Sequence, residues 1–224
     1  MFNKLLLFTF FIYGTAVIFS CNNSSNHSAL TEIKSSTLQE VAGRSVTIYN
    51  TTVDFPRGTG IIINGNGDIL TCFHVVVGYE NDLMISRDGI KLIPTKVLKK
   101  GFEYDLAILS SDITEFGDAE WEDREDLSIN QDVYVIASPY GLHKSFLKGY
   151  ISHTARLNAD LTYSKIPFVQ TQGISFEGVS GAAVFLNNGK YIGINRSTFG
   201  FGTGNGIGLV LPAETVREFL SVKK

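Results

Sequence analysis

The residues best suited to chemistry lie late in the chain, at Gly178-Val179-Ser180-Gly181-Ala182-Ala183. A serine held in a tight turn between glycines can present its Oγ to a substrate. The flanking backbone N–H groups can then point at an oxyanion. Alone, the pattern is equally that of an ordinary turn. A nucleophilic serine also needs a base, and the base needs an acid to orient it. All four histidines (His27, His74, His143 and His153) precede Ser180. That excludes arrangements in which the histidine follows the serine and leaves the order His, Asp, Ser.

His74 is the best candidate base. It lies in Leu70-Thr71-Cys72-Phe73-His74-Val75-Val76, where a strand ends among apolar residues. A satisfied core histidine would have similar surroundings. Asp105 is the best candidate acid. It opens Asp105-Leu106-Ala107-Ile108-Leu109, where a carboxylate entering an apolar strand must find a partner. The Nδ1–H of His74 would be that partner, leaving Nε2 to face Ser180. Asp82, Asp123 and Asp132 sit in more polar or turn-like stretches. A thiol mechanism through Cys72 and His74 is disfavoured, because the two are only two residues apart in a core pattern. Histidine and cysteine are too few and too scattered for a metal cluster, so no metal and no cofactor is expected.

The elements that must position these residues read as β. Short strand-like runs at 45–49, 60–64, 69–72, 83–86, 91–98, 106–109, 133–137, 146–153, 167–170, 182–186, 191–195 and 208–211 are separated by turns, among them Asn64-Gly65 and Asn66-Gly67. Residues 37–43 read as a short N-terminal helix that Gly43 would stop, and residues 213–222 as a C-terminal helix. Twenty-two glycines and five prolines suit an all-β fold with many turns, and 44 % hydrophobic residues can fill a core. Nineteen basic residues against 22 acidic ones argue against a nucleic-acid partner. The acidic stretch 115–126, with Trp121, reads as a solvated face. The glycine-rich 200–208 lacks the following long helix that a dinucleotide loop needs.

The N-terminus reads as a targeting signal. Lys4 precedes an apolar run over 5–19, and Ile18-Phe19-Ser20-Cys21 resembles a bacterial lipobox. The expected division is a signal peptide at 1–20, a polar tether at 21–36 and one domain at 37–224, with two halves meeting near 115–130. Lipidation of Cys21 would anchor the chain to a membrane of the bacterial cell envelope. It would also leave Cys72 without a disulfide partner, as a small buried residue.

Taken together, several segments resemble the HtrA/Deg proteases, a trypsin-like family. They are Gly58-Thr59-Gly60, Asn66 to Thr71, His74-Val75-Val76, Asp105 to Leu109, Ser138 to Leu142, Gln170-Thr171, Gly178 to Gly181, Gly189 to Asn195 and Gly206 to Pro212. The resemblance runs from about Thr37 to the end in one order. It implies a chymotrypsin-like double β-barrel with His74, Asp105 and Ser180 as triad in the cleft, and Gly178 and Ser180 N–H groups as oxyanion hole. The substrate pocket is expected near Ile174, Asn195, Arg196 and Ser197, taking a small or medium apolar P1 side chain. Polypeptides are the implied partners, and an oligomer is compatible. The 44 residues after Ser180 leave no room for the family's peptide-binding PDZ domain.

This chain departs from the family at Val179, where Asn is usual, at Ala182-Ala183, at Ile174 to Glu177, and at Arg196, which stands in place of a small hydroxyl residue. Two readings follow. One is a serine endopeptidase acting on unfolded or extended polypeptides. The alternative is an inactive, lipid-anchored relative that binds peptides by β-augmentation.

Overall fold

The computed structural model describes residues 32–198 and 206–222. The expected signal peptide, Cys21, His27 and most of the 200–208 loop lie outside them. Helix α1 (Ser35–Arg44) comes first. It begins two residues before the expected start, so Ser35 and Ser36 are helical rather than tether. It also runs through Gly43 instead of stopping there. A Cβ at Gly43 would stand 2.9 Å from the Phe116 ring, so this glycine serves close packing.

Seven strands then form an open, half-barrel sheet: β1 (Ser45–Asn50), β2 (Val53–Ile62), β3 (Ile69–Cys72), β4 (Leu83–Ser86), β5 (Ile93–Pro94), β6 (Val97–Gly101) and β7 (Leu106–Leu109), in the order β5-β4-β1-β2-β3-β7-β6. The expected single strand over 91–98 is two strands. Pro94 has no N–H to donate, and the pairing passes from β4 to β7 around Thr95, whose N–H goes to the Leu83 carbonyl and whose Oγ1 goes to that of Ser110. The turn between β2 and β3 forms as its residues require: Asn64 Oδ1 accepts from the Asn66 and Asp68 N–H groups, and Gly67 takes φ +79°.

Six more strands close into a barrel: β8 (Asp132–Ala137), β9 (Ser145–Arg156), β10 (Phe168–Ser175), β11 (Ala183–Phe185), β12 (Tyr191–Thr198) and β13 (Gly206–Pro212), with β10 joining β9 at one side and β13 at the other. Val133, Val135, Ile151, Val169, Val184, Ile192 and Val210 alternate inward to fill it. Helix α2 (Phe73–Val76) is a single turn directly after β3. Helix α3 (Ala213–Ser221) follows β13 and returns to the first sheet, where Phe219 packs against Gly101 and Tyr104. Lys99 Nζ donates to carbonyls at the end of α3, including that of Val222 at 2.6 Å.

The acidic stretch is more than a solvated face. Trp121 packs on Tyr191 with ring centroids 5.7 Å apart. The Glu122 N–H and the Glu120 carbonyl bracket Tyr191, each at 2.8 Å. The stretch is a strap fastened at the start of β12.

Leu106 is fully buried next to Asp105, whereas Ile90 is 87 % exposed. Leu106→Ala is expected to cost about 2–5 kcal/mol in urea unfolding, and Ile90→Ala less than about 0.5 kcal/mol.

Candidate active site

The register of the first sheet brings two of the candidate residues together. Cys72 at the end of β3 lies opposite Leu106 at the start of β7. His74, two residues on, and Asp105, one residue back, therefore meet at the same end of the sheet. Asp105 closes a 3₁₀ turn, Phe102–Tyr104, in the left-handed conformation (φ 52°, ψ 39°). Its carbonyl accepts the Phe73 N–H at 2.9 Å, which joins this turn to the start of α2. Its carboxylate is 1 % exposed. Oδ1 accepts the backbone N–H of His74 at 3.0 Å, and Oδ2 accepts from His74 Nδ1 at 2.8 Å. A carboxylate only accepts, so Nδ1 carries the proton and Nε2 is left as the basic nitrogen.

Ser180 reaches this end of the molecule because its turn is tied to the first sheet. Thr59 N–H donates to the Ser180 carbonyl and Thr59 Oγ1 to the Gly178 carbonyl, both at 2.9 Å. Thr71 Oγ1 donates to the Thr59 carbonyl at 2.7 Å. Gly181, at φ +84°, is required here. A Cβ would fall 2.1 Å from Thr71 Oγ1 and 2.2 Å from the Thr59 carbonyl. Ser180 Oγ donates to the carbonyl of Arg196 at 3.0 Å.

The peptide ahead of Gly178 has a fixed orientation. The Glu177 carbonyl accepts the Tyr140 N–H at 2.8 Å. In a trans peptide the following N–H points the opposite way, so Gly178 N–H is turned away from Tyr140. Gly178 holds φ +90°, and a Cβ there would meet the Ser138 carbonyl at 2.3 Å. Tyr140 itself takes φ 50°. Sequence reasoning did not find Tyr140 or Thr59 as props. The signals were the Pro139-Tyr140-Gly141 turn and the Gly58-Thr59-Gly60 triplet.

Two expected pocket residues lie elsewhere. Ile174 is fully buried in the core of the closed barrel, because β10 continues through Ser175 and turns that side chain inward. Asn195 is fully buried as well, and its Nδ2 donates to Ser175 Oγ at 3.2 Å and the Val179 carbonyl at 3.4 Å, bracing the serine loop from below. The side chain of Ser197 lies outside the described residues. Arg196 does enter the site, but toward the acid. Its Nε lies 2.9 Å from Asp105 Oδ2, its Nη1 donates to Asp160 Oδ2 at 2.6 Å, and its guanidinium covers the Tyr163 ring at 4.6 Å.

The other described histidines are engaged in structure. His143 bridges Thr47 Oγ1 and the Arg87 carbonyl, and His153 Nδ1 accepts the Ala155 N–H. Cys72, His74 and Asp105 offer ligand atoms within 4.8 Å of one another. Both carboxylate oxygens are already engaged, and burial, reinforced by Asp105, pushes the Cys72 thiol well up. The cluster therefore fits an oriented imidazole better than a cation. In a Cys21→Ser variant, Cys72 is expected to resist Ellman's reagent in the native protein and to react only as fast as the chain unfolds. Fast native labelling would contradict this burial.

The chain matches the model of the trypsin-like peptidase domain over residues 58–194. It is 35 % identical over 142 residues to a probable periplasmic serine endoprotease, DegP-like, of Halomonas elongata, covering 63 % of this chain and 29 % of that protein. The corresponding protein of Rickettsia prowazekii is 30 % identical over 177 residues, covering 77 % and 34 %. The chain thus spans about a third of the length of these relatives. The HtrA-type protease AlgW with a tripeptide superposes with a TM-score of 0.73 at 24 % identity, over 82 % of this chain and 61 % of that one, a likeness of fold. The serine endoprotease from Yersinia pestis superposes with a TM-score of 0.67 at 25 % identity, over 82 % and 64 %. With the family model covering more than half of its length, this chain belongs to the trypsin-like peptidase family.

Proposed function

We propose that this protein is a serine endopeptidase that cleaves unfolded or extended polypeptides in the bacterial cell envelope. The observation that carries the reading is the buried Asp105 carboxylate, which holds the His74 ring by Nδ1 on the sheet to which the Ser180 turn is tied through Thr59. In this mechanism Ser180 Oγ leaves the Arg196 carbonyl, passes its proton to His74 Nε2 and attacks the scissile carbonyl. Asp105 keeps the ring in the productive tautomer and stabilises the imidazolium. The N–H groups of Gly178 and Ser180 receive the oxyanion; loss of one such donor costs about 10²–10³-fold. His74 then protonates the leaving amine, and water repeats the sequence on the acyl-enzyme.

Support comes from the Glu177–Gly178 peptide, whose carbonyl is held by the Tyr140 N–H, so that the Gly178 N–H is turned away from Tyr140. That the substrate is a polypeptide is supported by the relatives, which are named serine endoproteases, and by the HtrA-type protease AlgW, which holds a tripeptide. For P1 we keep a small or medium apolar side chain. The envelope location follows from the relatives' printed name and from the signal-like N-terminus. Residues 1–20 are proposed to be removed and Cys21 to carry lipid, with 37–224 as the peptidase domain.

The direct test is a fluorophosphonate probe on the domain lacking Cys21. Labelling of the wild type, lost in Ser180→Ala and His74→Ala, is expected. A wild type as inert as both variants would favour the non-cleaving, peptide-binding alternative. For the anchor, cells fed an alkyne fatty acid should label the protein, and Cys21→Ser should abolish that label. Label retained in the variant would contradict lipidation at this residue.

A further inference from the structure

Arg196 stands where the triad acid already has two donors. Its Nε is 2.9 Å from the same Oδ2 that accepts from His74 Nδ1. Its side chain is 15 % exposed, and the guanidinium is held from the far side by Asp160 Oδ2 at 2.6 Å and by the face of Tyr163 at 4.6 Å. Asp160 is itself fixed, its Oδ1 accepting the N–H groups of Thr162 and Tyr163. The backbone of the same arginine accepts the Ser180 hydroxyl. One residue thus touches the nucleophile through its carbonyl and the acid through its side chain.

We propose that Arg196 is a positioning residue that divides the charge of Asp105 between the imidazole and itself, and that Asp160 sets the division. A carboxylate shared with a guanidinium attracts an imidazolium less strongly, and the guanidinium also repels it. Arg196 therefore offsets part of the attraction that Asp105 exerts on an imidazolium at His74. Asp160 opposes this by drawing part of the guanidinium's field away from Asp105. Loss of Arg196 and loss of Asp160 should then act in opposite directions.

Other charged or titratable groups around His74 are fixed. On β3, Cys72 is a buried thiol whose proton affinity burial and Asp105 raise and Arg196 lowers. Tyr163 is raised by burial and by Asp105, with Arg196 again opposing. Arg57 donates to the Val75 carbonyl of α2 and lies over Tyr79. On β6, which packs against α2, Lys100 pairs with Glu80, and Lys99 is spent on the end of α3.

The inference rests on the serine-peptidase reading, so the experiment has two arms. In the first, the pH dependence of kcat/KM is measured for the wild type, Arg196→Gln, Asp160→Asn and the double variant. In the second, ring-¹⁵N histidine NMR follows the titration of His74 in a Ser180→Ala background, which needs no turnover; the signal is assigned by its absence in His74→Ala. Arg196→Gln should move the acid limb and the NMR midpoint up by about half a unit to one unit of pH. Asp160→Asn should move both down, and the double variant should follow Arg196→Gln. Unmoved midpoints, or both single variants moving the same way, would overturn the division of charge. Lower kcat with an unmoved limb would do the same, leaving Arg196 a merely structural role. Opposed NMR shifts with no turnover in any variant would support the division of charge and overturn the peptidase reading.

Discussion

The site depends on one buried carboxylate. Asp105 is 1 % exposed, and a charge so placed is tolerable only when its oxygens are satisfied. Here they accept the His74 main chain and the His74 ring, and Arg196 forms an ion pair with Oδ2. Satisfying Asp105 therefore fixes three things at once. It sets the start of α2 against the 3₁₀ turn, selects the Nδ1–H tautomer, and brings in the chain segment that follows the serine turn. The left-handed backbone at Asp105 carries a local cost, which these contacts offset.

The second constraint is the joint between the open sheet and the closed barrel. Ser180 belongs to the barrel by chain order, yet its carbonyl and that of Gly178 are held by Thr59 of the sheet. Gly58 and Gly181 permit that approach: a Cβ at Gly58 would stand 2.8 Å from the Ser180 carbonyl. Elsewhere helix α3 packs back on the sheet, and the acidic stretch bonds to Ile63 at one side and Tyr191 at the other. Base and nucleophile can thus come from different parts of the fold and still keep a fixed relation, which a positioned proton transfer demands.

Much of this was legible in the sequence because it is local. The β-rich pattern, the Asn64–Gly67 turn and the serine flanked by glycines follow from turn chemistry and alternation. The pairing of His74 with Asp105 followed from order and from the need of a carboxylate beside apolar residues to find a donor. Contacts across the fold were not legible. Gly43 looks like a helix stop because its partner, Phe116, is 73 residues away. Ile174 looks like a pocket wall until the length of β10 turns it inward. Arg196 reads as a pocket residue, since nothing near it in the chain announces Asp160 and Tyr163 as its far-side partners.

The most direct test of the central claim is a crystal structure of the domain with a peptidyl phosphonate. The account predicts an adduct on Ser180 Oγ, with a phosphoryl oxygen about 3 Å from the Gly178 and Ser180 nitrogens. It also predicts that His74 Nδ1 stays on Asp105 and that Tyr140 still holds the Glu177 carbonyl. An adduct on another residue, or one on Ser180 with the phosphoryl oxygen turned from both nitrogens, would contradict it.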